Sequence, residues 1–282
     1  MAGTSERDVK NRIKSVESTV HITKAMELVA SSKLKKAKER VDKSRHFFET
    51  MYSTLNGIAL RNTDFASVFV KQREVKKICY VVIAGDRGLA GGYNGNVFKL
   101  SEKEMDGKNC CVLPIGKKTV EFFNNHRFGD IIDSYSTTAQ VTLIECAKIG
   151  RDLAQRFKNG EYDELFLIYT RMNSMLSQSE RMVKLLPVLP MEEKPEKKKF
   201  ILYEPSAVAV YDAIVPEYIS GMIYGAICES EASELAARRM AMDAATRNAN
   251  DMIESLTLRY NRARQAAITA EITEIVAGAN AQ

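Results

Sequence analysis

One long stretch near the C-terminal end, Leu235–Ala277, most constrains how this chain can fold. It contains no Gly and no Pro, the two residues that most readily interrupt a helix. Steps that alternate between three and four residues return mostly small or apolar side chains: Met242, Ala245, Ala249, Met252, Leu256, Arg259, Ala263, Ala266, Ala270, Thr273 and Ala277. A repeat of about 3.5 residues over this length predicts a supercoiled helix that packs along a partner helix.

The N-terminal end has the same periodicity, from Ser5 to about Gly57. The alternating step there returns Val9, Ile13, Val16, Val20, Thr23, Glu27, Ala30, Leu34, Ala37, Val41, Ser44, Phe48, Met51, Leu55 and Ile58. A helix of roughly 50 residues is about 75 Å long, which exceeds what a globular domain needs. The shared period predicts that the two terminal helices form one antiparallel coiled coil. The alternative is that each helix binds a different protein.

The segment between the helices has the pattern of a small α/β domain with a largely parallel sheet. Short apolar runs predict strands at 77–84, 110–115, 131–135, 163–171 and 181–189, with a further strand at 200–203. Helices are predicted at 94–105, 118–124 and 138–157, and a last helix begins at Pro205, with Pro216 as a kink or a fresh first turn. The fold class is therefore α/β plus a long two-helix coiled coil, with a Rossmann-like domain inserted between the helices. The predicted domains are 1–60, 74–203 and 206–282.

Positive charge is concentrated at the N-terminal end. The 282-residue chain has a net charge of +5, and residues 1–45 carry twelve Lys or Arg against six Asp or Glu. This excess predicts either an acidic partner or an ordinary solvated helix face. A basic coiled-coil scaffold or a nucleic-acid-binding protein is therefore an alternative function, although acidic residues are interleaved and no aromatic ladder is present.

Cysteines and apolar runs restrict the class of protein further. The five cysteines are scattered and show no CxxC spacing, so we expect reduced thiols in a core and no metal site. No run of about 20 apolar residues predicts a membrane span. The nearest candidate, Ala207–Cys228, is interrupted by Asp212, Pro216 and Glu217.

The glycine-rich loop after the first strand is the one feature that suggests catalysis. Glycines at 85, 88, 91, 92 and 95 lie between a strand and a helix, where a phosphate could bind. Their spacing matches neither the dinucleotide fingerprint nor the phosphate-binding loop of nucleotide hydrolases. The three histidines are far apart, so the sequence predicts no catalytic residue, no cofactor and no metal. We interpret the loop as a tight connection, with a nucleotide-binding enzyme as the alternative.

Three separated motifs resemble the γ subunit of F-type ATP synthase. Arg12–Val16 (RIKSV) and Ile22–Ala30 (ITKAMELVA) resemble its N-terminal signature, and Asp86–Asn94 (DRGLAGGYN) resembles its central loop. Ala241–Ala249 (AMDAATRNA), Leu256–Thr269 (LTLRYNRARQAAIT) and Glu274–Gly278 (EIVAG) resemble its C-terminal signature. The motifs occur in the family's order and span the chain, and its length and Met1 favour a bacterial member.

This resemblance implies a fold, a role and partners. The terminal helices would form the central shaft inside the α3β3 ring, and the α/β domain would lie at the foot, against the ε subunit and the membrane-embedded c-ring. Rotation would couple proton or sodium flow to ATP synthesis on the β subunits, while this chain has no catalytic residues. The protein would be peripheral, at the cytoplasmic face of the bacterial cell membrane.

The resemblance also implies contact residues. The positions that match contacts with β subunits are Met26, Lys33, Arg238, Arg264 and Gln265. The positions that match the foot on the c-ring are Leu34, Tyr203 and Glu204.

Overall fold

The structure is a computed structural model that describes residues 6–61, 65–126, 128–138, 141–189 and 201–280, without the side chains of 46–49, 61 and 280. Its helices are α1 (Glu6–Arg61), α2 (Tyr93–Met105), α3 (Lys117–His126), α4 (Leu143–Lys158) and α5 (Ala207–Asn280). Its strands are β1 (Ile78–Ile83), β2 (Cys110–Ile115), β3 (Asp130–Ile131), β4 (Glu164–Met172) and β5 (Gln178–Leu186).

The five strands form one mixed sheet in the order β3-β2-β1-β4-β5. Strand β1 runs parallel to β2 and β4, and β3 runs parallel to β2, whereas β5 returns antiparallel to β4. Strands β1 and β2 are buried along their whole length, as their continuous apolar sequences predict. The largely parallel sheet is therefore confirmed.

The prediction of a strand at 200–203 is wrong for its described residues, because 201–203 have no regular structure. The run Ile201-Leu202-Tyr203 is apolar, but it contributes no paired backbone to the sheet. Strand β3 is also shorter than predicted, and only an isolated bridge between Ile115 and Tyr135 extends that pairing. Short apolar runs do not by themselves distinguish a strand from an apolar loop.

Two hydrophobic cores lie on opposite faces of the sheet. One contains Val97, Met105 and Phe123 from α2 and α3. The other contains side chains from α4 together with Tyr211 and Val215 of α5. The five cysteines are free and buried, as predicted.

The chain divides into two compact units. Residues 1–31 with 238–282 form the first unit, and residues 32–237 form the second. The predicted domains 1–60, 74–203 and 206–282 follow the elements rather than these units, and those boundaries stay a prediction.

In the first unit, α1 and α5 pack antiparallel. Thr23 Oγ1 lies 2.7 Å from Thr246 Oγ1, while Glu6, at the start of α1, faces Tyr260. The predicted seam of α1 is confirmed along its length, because none of its members with a described side chain is exposed. The antiparallel coiled coil therefore follows from the sequence period.

The predicted seam of α5 is partly wrong. Met252 and Arg259 are exposed, whereas Ile253 and Tyr260 turn toward α1 and join Met242, Thr246, Ala249, Leu256 and Ala263 in the contact. The observed positions also alternate by four and three residues. Every second one lies one residue later than the predicted position: Thr246, Ile253 and Tyr260 replace Ala245, Met252 and Arg259. Inward-facing Ile253 removes more apolar surface from water than an inward-facing Arg259 would, which explains the observed phase.

The last turns of α5 have no partner helix within the described chain. Residues 264–279 are exposed, so the predicted seam positions Ala266, Ala270, Thr273 and Ala277 are wrong. Because Glu6 faces Tyr260, the described part of α1 ends where these turns begin.

In the second unit, the same two helices pack against each other and against the sheet. Leu34, Ala37 and Val41 of α1 contact Leu235 and neighbouring small residues of α5, and Met172 of β4 joins them. Leu55 and Ile58 lie in the core with Tyr211, Val215 and Tyr218.

Helix α5 continues through Pro216 without a break, so the predicted fresh start there is wrong. Helix α4 crosses α5 at this point with Gly150 against it. A Cβ atom on Gly150 would lie 2.6 Å from the carbonyl oxygen of Pro216 and 2.8 Å from the backbone nitrogen of Ser220. Neighbouring packing therefore holds the helix together around the proline.

Candidate interaction surfaces

The glycine-rich loop forms a connection whose polar groups bind within the chain. Gly85 N donates to Asn94 Oδ1 at 2.8 Å, and Asn94 Nδ2 donates back to the Arg87 carbonyl at 3.1 Å. The Asp86 carboxylate accepts from Lys117 N and from Thr138 N and Oγ1, at 3.0–3.1 Å.

An aspartate carboxylate therefore occupies the N-terminus of α3, where a bound anion would otherwise be stabilised. Just before this helix, Gly116 has a φ of +103°, and a Cβ atom there would overlap the carbonyl oxygen of Ala84. Within the described residues, no group of three or more His, Cys, Asp or Glu side chains is arranged to hold a metal ion.

In the first unit, the predicted contact residues for β subunits lie at separate levels of the helix pair. Met26 is half-buried three residues beyond Thr23, which pairs with Thr246. Arg264 and Gln265 are exposed 18 and 19 residues beyond Thr246, about 27 Å along α5. Arg238 is half-buried on the other side of Thr246. The structure therefore does not bring these residues into one site.

Exposed apolar side chains accompany both levels in the first unit. Ile22, Leu28 and Val29 are exposed around Met26. Beyond Arg264, the exposed residues Ile268, Ile272, Ile275 and Val276 recur at helical spacing, and Ile275 is 65% exposed. The sequence period alone assigned this stretch to a seam. The missing signal was the extent of α1, whose described part, Glu6–Arg61, does not reach these turns.

In the second unit, Lys33 is exposed on α1, whereas Leu34 is 3% exposed within the core between α1, α5 and β4. Leu34 packs with Leu235, about 40 Å along α5 from the helix start that follows Tyr203 and Glu204. The structure therefore places Leu34 in a core far along α5 from these two residues, and its contact with the c-ring stays a prediction. The apolar seam pattern had already indicated that Leu34 faces inward.

Tyr203 and Glu204 lie in the segment just before α5. Tyr203 is half-buried against the core, and Glu204 is exposed. The neighbouring Ile201 and Leu202 are exposed, Leu202 to 77%. Sequence reasoning missed these two as surface residues because it assigned them to a strand. These two side chains form a small exposed apolar patch close to the Glu204 carboxylate.

The described helices include none that is long and apolar enough to cross a membrane.

Comparisons with known proteins agree with this architecture. A family model described as ATP synthase matches residues 5–282. The ATP synthase gamma chain of Ruminococcus albus is 47% identical over 275 residues, which covers 95% of this chain and 96% of that protein. The sodium-ion-specific ATP synthase gamma chain of Acetobacterium woodii is 41% identical over 295 residues, with 98% of each chain covered.

Solved structures share the fold at low sequence identity. A chain of the Euglena gracilis mitochondrial ATP synthase, in a structure with OSCP, F1 and c-ring, has a TM-score of 0.69 at 16% identity and covers 98% of this chain and 94% of its own. A chain of the Tetrahymena thermophila mitochondrial central stalk and c-ring has a TM-score of 0.61 at 22% identity, with 79% and 99% covered. These likenesses confirm the α/β domain between two long terminal helices.

Proposed function

This chain belongs to the family of ATP synthase γ chains, and we propose that it is the central rotor shaft of its complex. It couples ion-driven rotation of the c-ring to conformational change, and so to ATP synthesis or hydrolysis, at sites on the β subunits. The comparisons do not favour the alternative of a basic scaffold or a nucleic-acid-binding protein.

The observation that carries this proposal is the antiparallel helix pair with its exposed C-terminal turns. A buried seam between α1 and α5 resists bending, as torque transmission requires. Beyond Ala263, α5 continues without a partner helix in the described chain, and its exposed surface is partly apolar. Such a surface suits contact with a surrounding ring of other subunits. A helix pair also presents different faces to each β subunit, so the three catalytic sites take different conformations.

The partner contacts are proposed residue by residue. Met26, Lys33, Arg238, Arg264 and Gln265 would contact β subunits, and the exposure of Lys33, Arg264 and Gln265 supports this. Arginine and amide side chains suit contacts with defined geometry, since they donate in fixed directions.

The foot would lie on the c-ring through Tyr203 and Glu204, with the ε subunit against the α/β domain. Exposed Ile201 and Leu202 support a protein contact there. Buried Leu34 would act only indirectly, by holding α1 against α5.

The chain itself would be a non-catalytic subunit, peripheral at the cytoplasmic face of a bacterial membrane. The non-catalytic role is supported by the N-terminus of α3, where the Asp86 carboxylate occupies the position at which an anion would bind. The bacterial origin of the relatives supports the location at a bacterial membrane.

A rotation assay tests this function. Asp106 lies in an exposed turn after α2, so an Asp106→Cys variant offers an accessible thiol for a visible probe, while the native thiols are buried. With the ring of the assembled complex fixed to a surface, we expect ATP to drive unidirectional, stepwise rotation of the probe. A complex that hydrolyses ATP at a normal rate while the probe stays still would contradict the shaft.

A further inference from the structure

The Glu229 carboxylate lies where α1, α5 and the sheet meet in the second unit. Arg45 Nη2 of α1 donates to Glu229 Oε1 at 2.9 Å. The Glu229 side chain is only 13% exposed, against 43% for Arg45. On its other side is Tyr169 of β4, whose pKa rises to about 12 through burial and then the negative charge of Glu229.

The neighbouring residues of α5 bind the sheet domain through buried hydrogen bonds. Tyr93 of α2 donates its hydroxyl proton to the Ser230 carbonyl at 3.0 Å. Ser233 Oγ donates to the Thr170 carbonyl of β4 at 3.2 Å. This turn of α5 is therefore held from α2, β4 and α1 within five residues.

Glu229 differs from the hydrogen-bonding groups of Ser230 and Ser233 in this turn because its side chain carries a negative charge. Its Oε2 atom is buried without a hydrogen-bond partner in the described part of the chain. Burying a half-satisfied carboxylate costs stability, and an apolar side chain would avoid that cost. Stability alone therefore does not explain the residue, whereas a polar link between α1 and α5 with its charge beside Tyr169 of β4 does.

We propose that Glu229 is a positioning residue for torque transfer: it bonds to Arg45 of α1 and holds its charge beside Tyr169 of β4, so that the sheet domain and the helix pair turn together. The idea rests on the proposed rotor function. Rotation of the sheet domain by the c-ring loads this junction in shear. Apolar packing is non-directional and permits sliding, whereas a charge-assisted hydrogen bond to a largely buried carboxylate is directional and fixes register.

The test measures the largest ion gradient that ATP hydrolysis builds in vesicles containing the complete complex. We expect Glu229→Gln to lower this limiting gradient while ATP hydrolysis at zero gradient stays unchanged. Reversing the pair, with Arg45→Glu and Glu229→Arg together, should restore most of the gradient. A merely structural role would lower the yield of complex and leave the gradient of the assembled fraction unchanged.

Glu231→Gln is the matched control. Glu231 lies two residues away on the same helix and pairs with Arg40 of α1, but both side chains are about half exposed. We expect no change in this control, since exposed pairs contribute little and this one does not involve the sheet.

An unchanged gradient in Glu229→Gln, or an equal loss in Glu231→Gln, would overturn the proposal. If Glu229→Gln does not assemble, Tyr169→Phe is measured instead, and an unchanged gradient there counts against the proposal. A wild-type complex that hydrolyses ATP but builds no gradient would reject the proposed function itself.

Discussion

Thr23 and Thr246 touch through their hydroxyl oxygens, 2.7 Å apart, although 223 residues separate them in the sequence. Each hydroxyl also lies within hydrogen-bonding distance of a carbonyl of its own helix, Thr23 of Val20 and Thr246 of Met242. Because each hydroxyl has one proton, one threonine donates to the other, and the second donates to its own carbonyl. Two short polar side chains thus fix the rotation of each helix against the other at this level of the contact.

Replacing Thr246 with Val tests this contact. We expect the free energy of unfolding of the full chain to fall by about 1 kcal/mol, because the cross-helix bond is lost at nearly constant shape. Urea denaturation followed by circular dichroism measures it. Thr257→Val is the control, since Thr257 bonds to its own helix but is exposed, and we expect a change within about 0.5 kcal/mol. Equal losses would show that the bond between the helices contributes nothing.

The seam of α5 can be checked with two leucines on one helix. Leu256 is 7% exposed and Leu258 is 57% exposed. We expect Leu256→Ala to cost about 2–3 kcal/mol, through lost burial and a cavity, and Leu258→Ala less than about 0.5 kcal/mol. Urea denaturation measures both losses of unfolding free energy. A larger loss for Leu258→Ala than for Leu256→Ala would contradict the seam that the structure shows.

Overpacking should affect Ala263 and spare Ala266. Ala263 is half-buried beside Val9 and Leu256, so a phenylalanine there forces the helices apart at a cost of about 1–3 kcal/mol. Ala266 is exposed beyond the described end of α1. Thermal unfolding of Ala263→Phe and Ala266→Phe compares them; a large loss in the second would mean that the last turns do have a partner within the chain.

Gly116 should not tolerate a side chain. Its φ of +103° disfavours other residues, and a Cβ atom would overlap the backbone of Ala84. We expect Gly116→Ala to cost more than about 2 kcal/mol. In contrast, Gly95→Ala lies within α2 with nothing near its added methyl group, so it should stabilise by about 0.5–1 kcal/mol. A mild effect at Gly116 would mean that the turn can rearrange.

Alkaline pH should destabilise the fold through its buried tyrosines. Burial raises the pKa of Tyr80 from 10.0 to about 12. Between these values the unfolded chain loses the proton and the folded chain keeps it, so the free energy of unfolding falls as pH rises from about 10 toward 12. We expect Tyr80→Phe to lower stability at pH 8 by losing the bond to the Glu104 carbonyl, and to flatten the alkaline decline. An unchanged slope would exclude Tyr80 as a contributor.

The sequence predicted the architecture because strong apolar patterns allow few alternatives. The seam of α1 contains Val, Ile and Leu at regular spacing, so its phase is unambiguous. The seam of α5 is rich in alanine, which suits a buried or an exposed position equally. Its phase is therefore decided by a few larger residues such as Ile253, which the regular step passed over.

Contact residues were harder to predict because they were carried over from a resemblance rather than from packing. Leu34 has the spacing of a seam residue, and the structure buries it as that spacing requires. Glu229 was missed altogether, because a carboxylate on a helix carries no local signal of the arginine and tyrosine that surround it. Such a site depends on tertiary contacts between residues far apart in the sequence.

The final turns of α5, which have no partner helix within the described residues, also affect how the protein assembles. A single helix of about 16 residues is only marginally stable in water, and alanine-rich composition helps it only in part. Amide hydrogens in these turns should therefore exchange quickly in the free chain and slowly once a partner surrounds them. Ordering this segment costs conformational entropy when the complex assembles. This cost weakens non-specific binding through the exposed isoleucines. A surface that fits the helix closely makes enough contacts to offset the cost, so the segment binds such a surface preferentially.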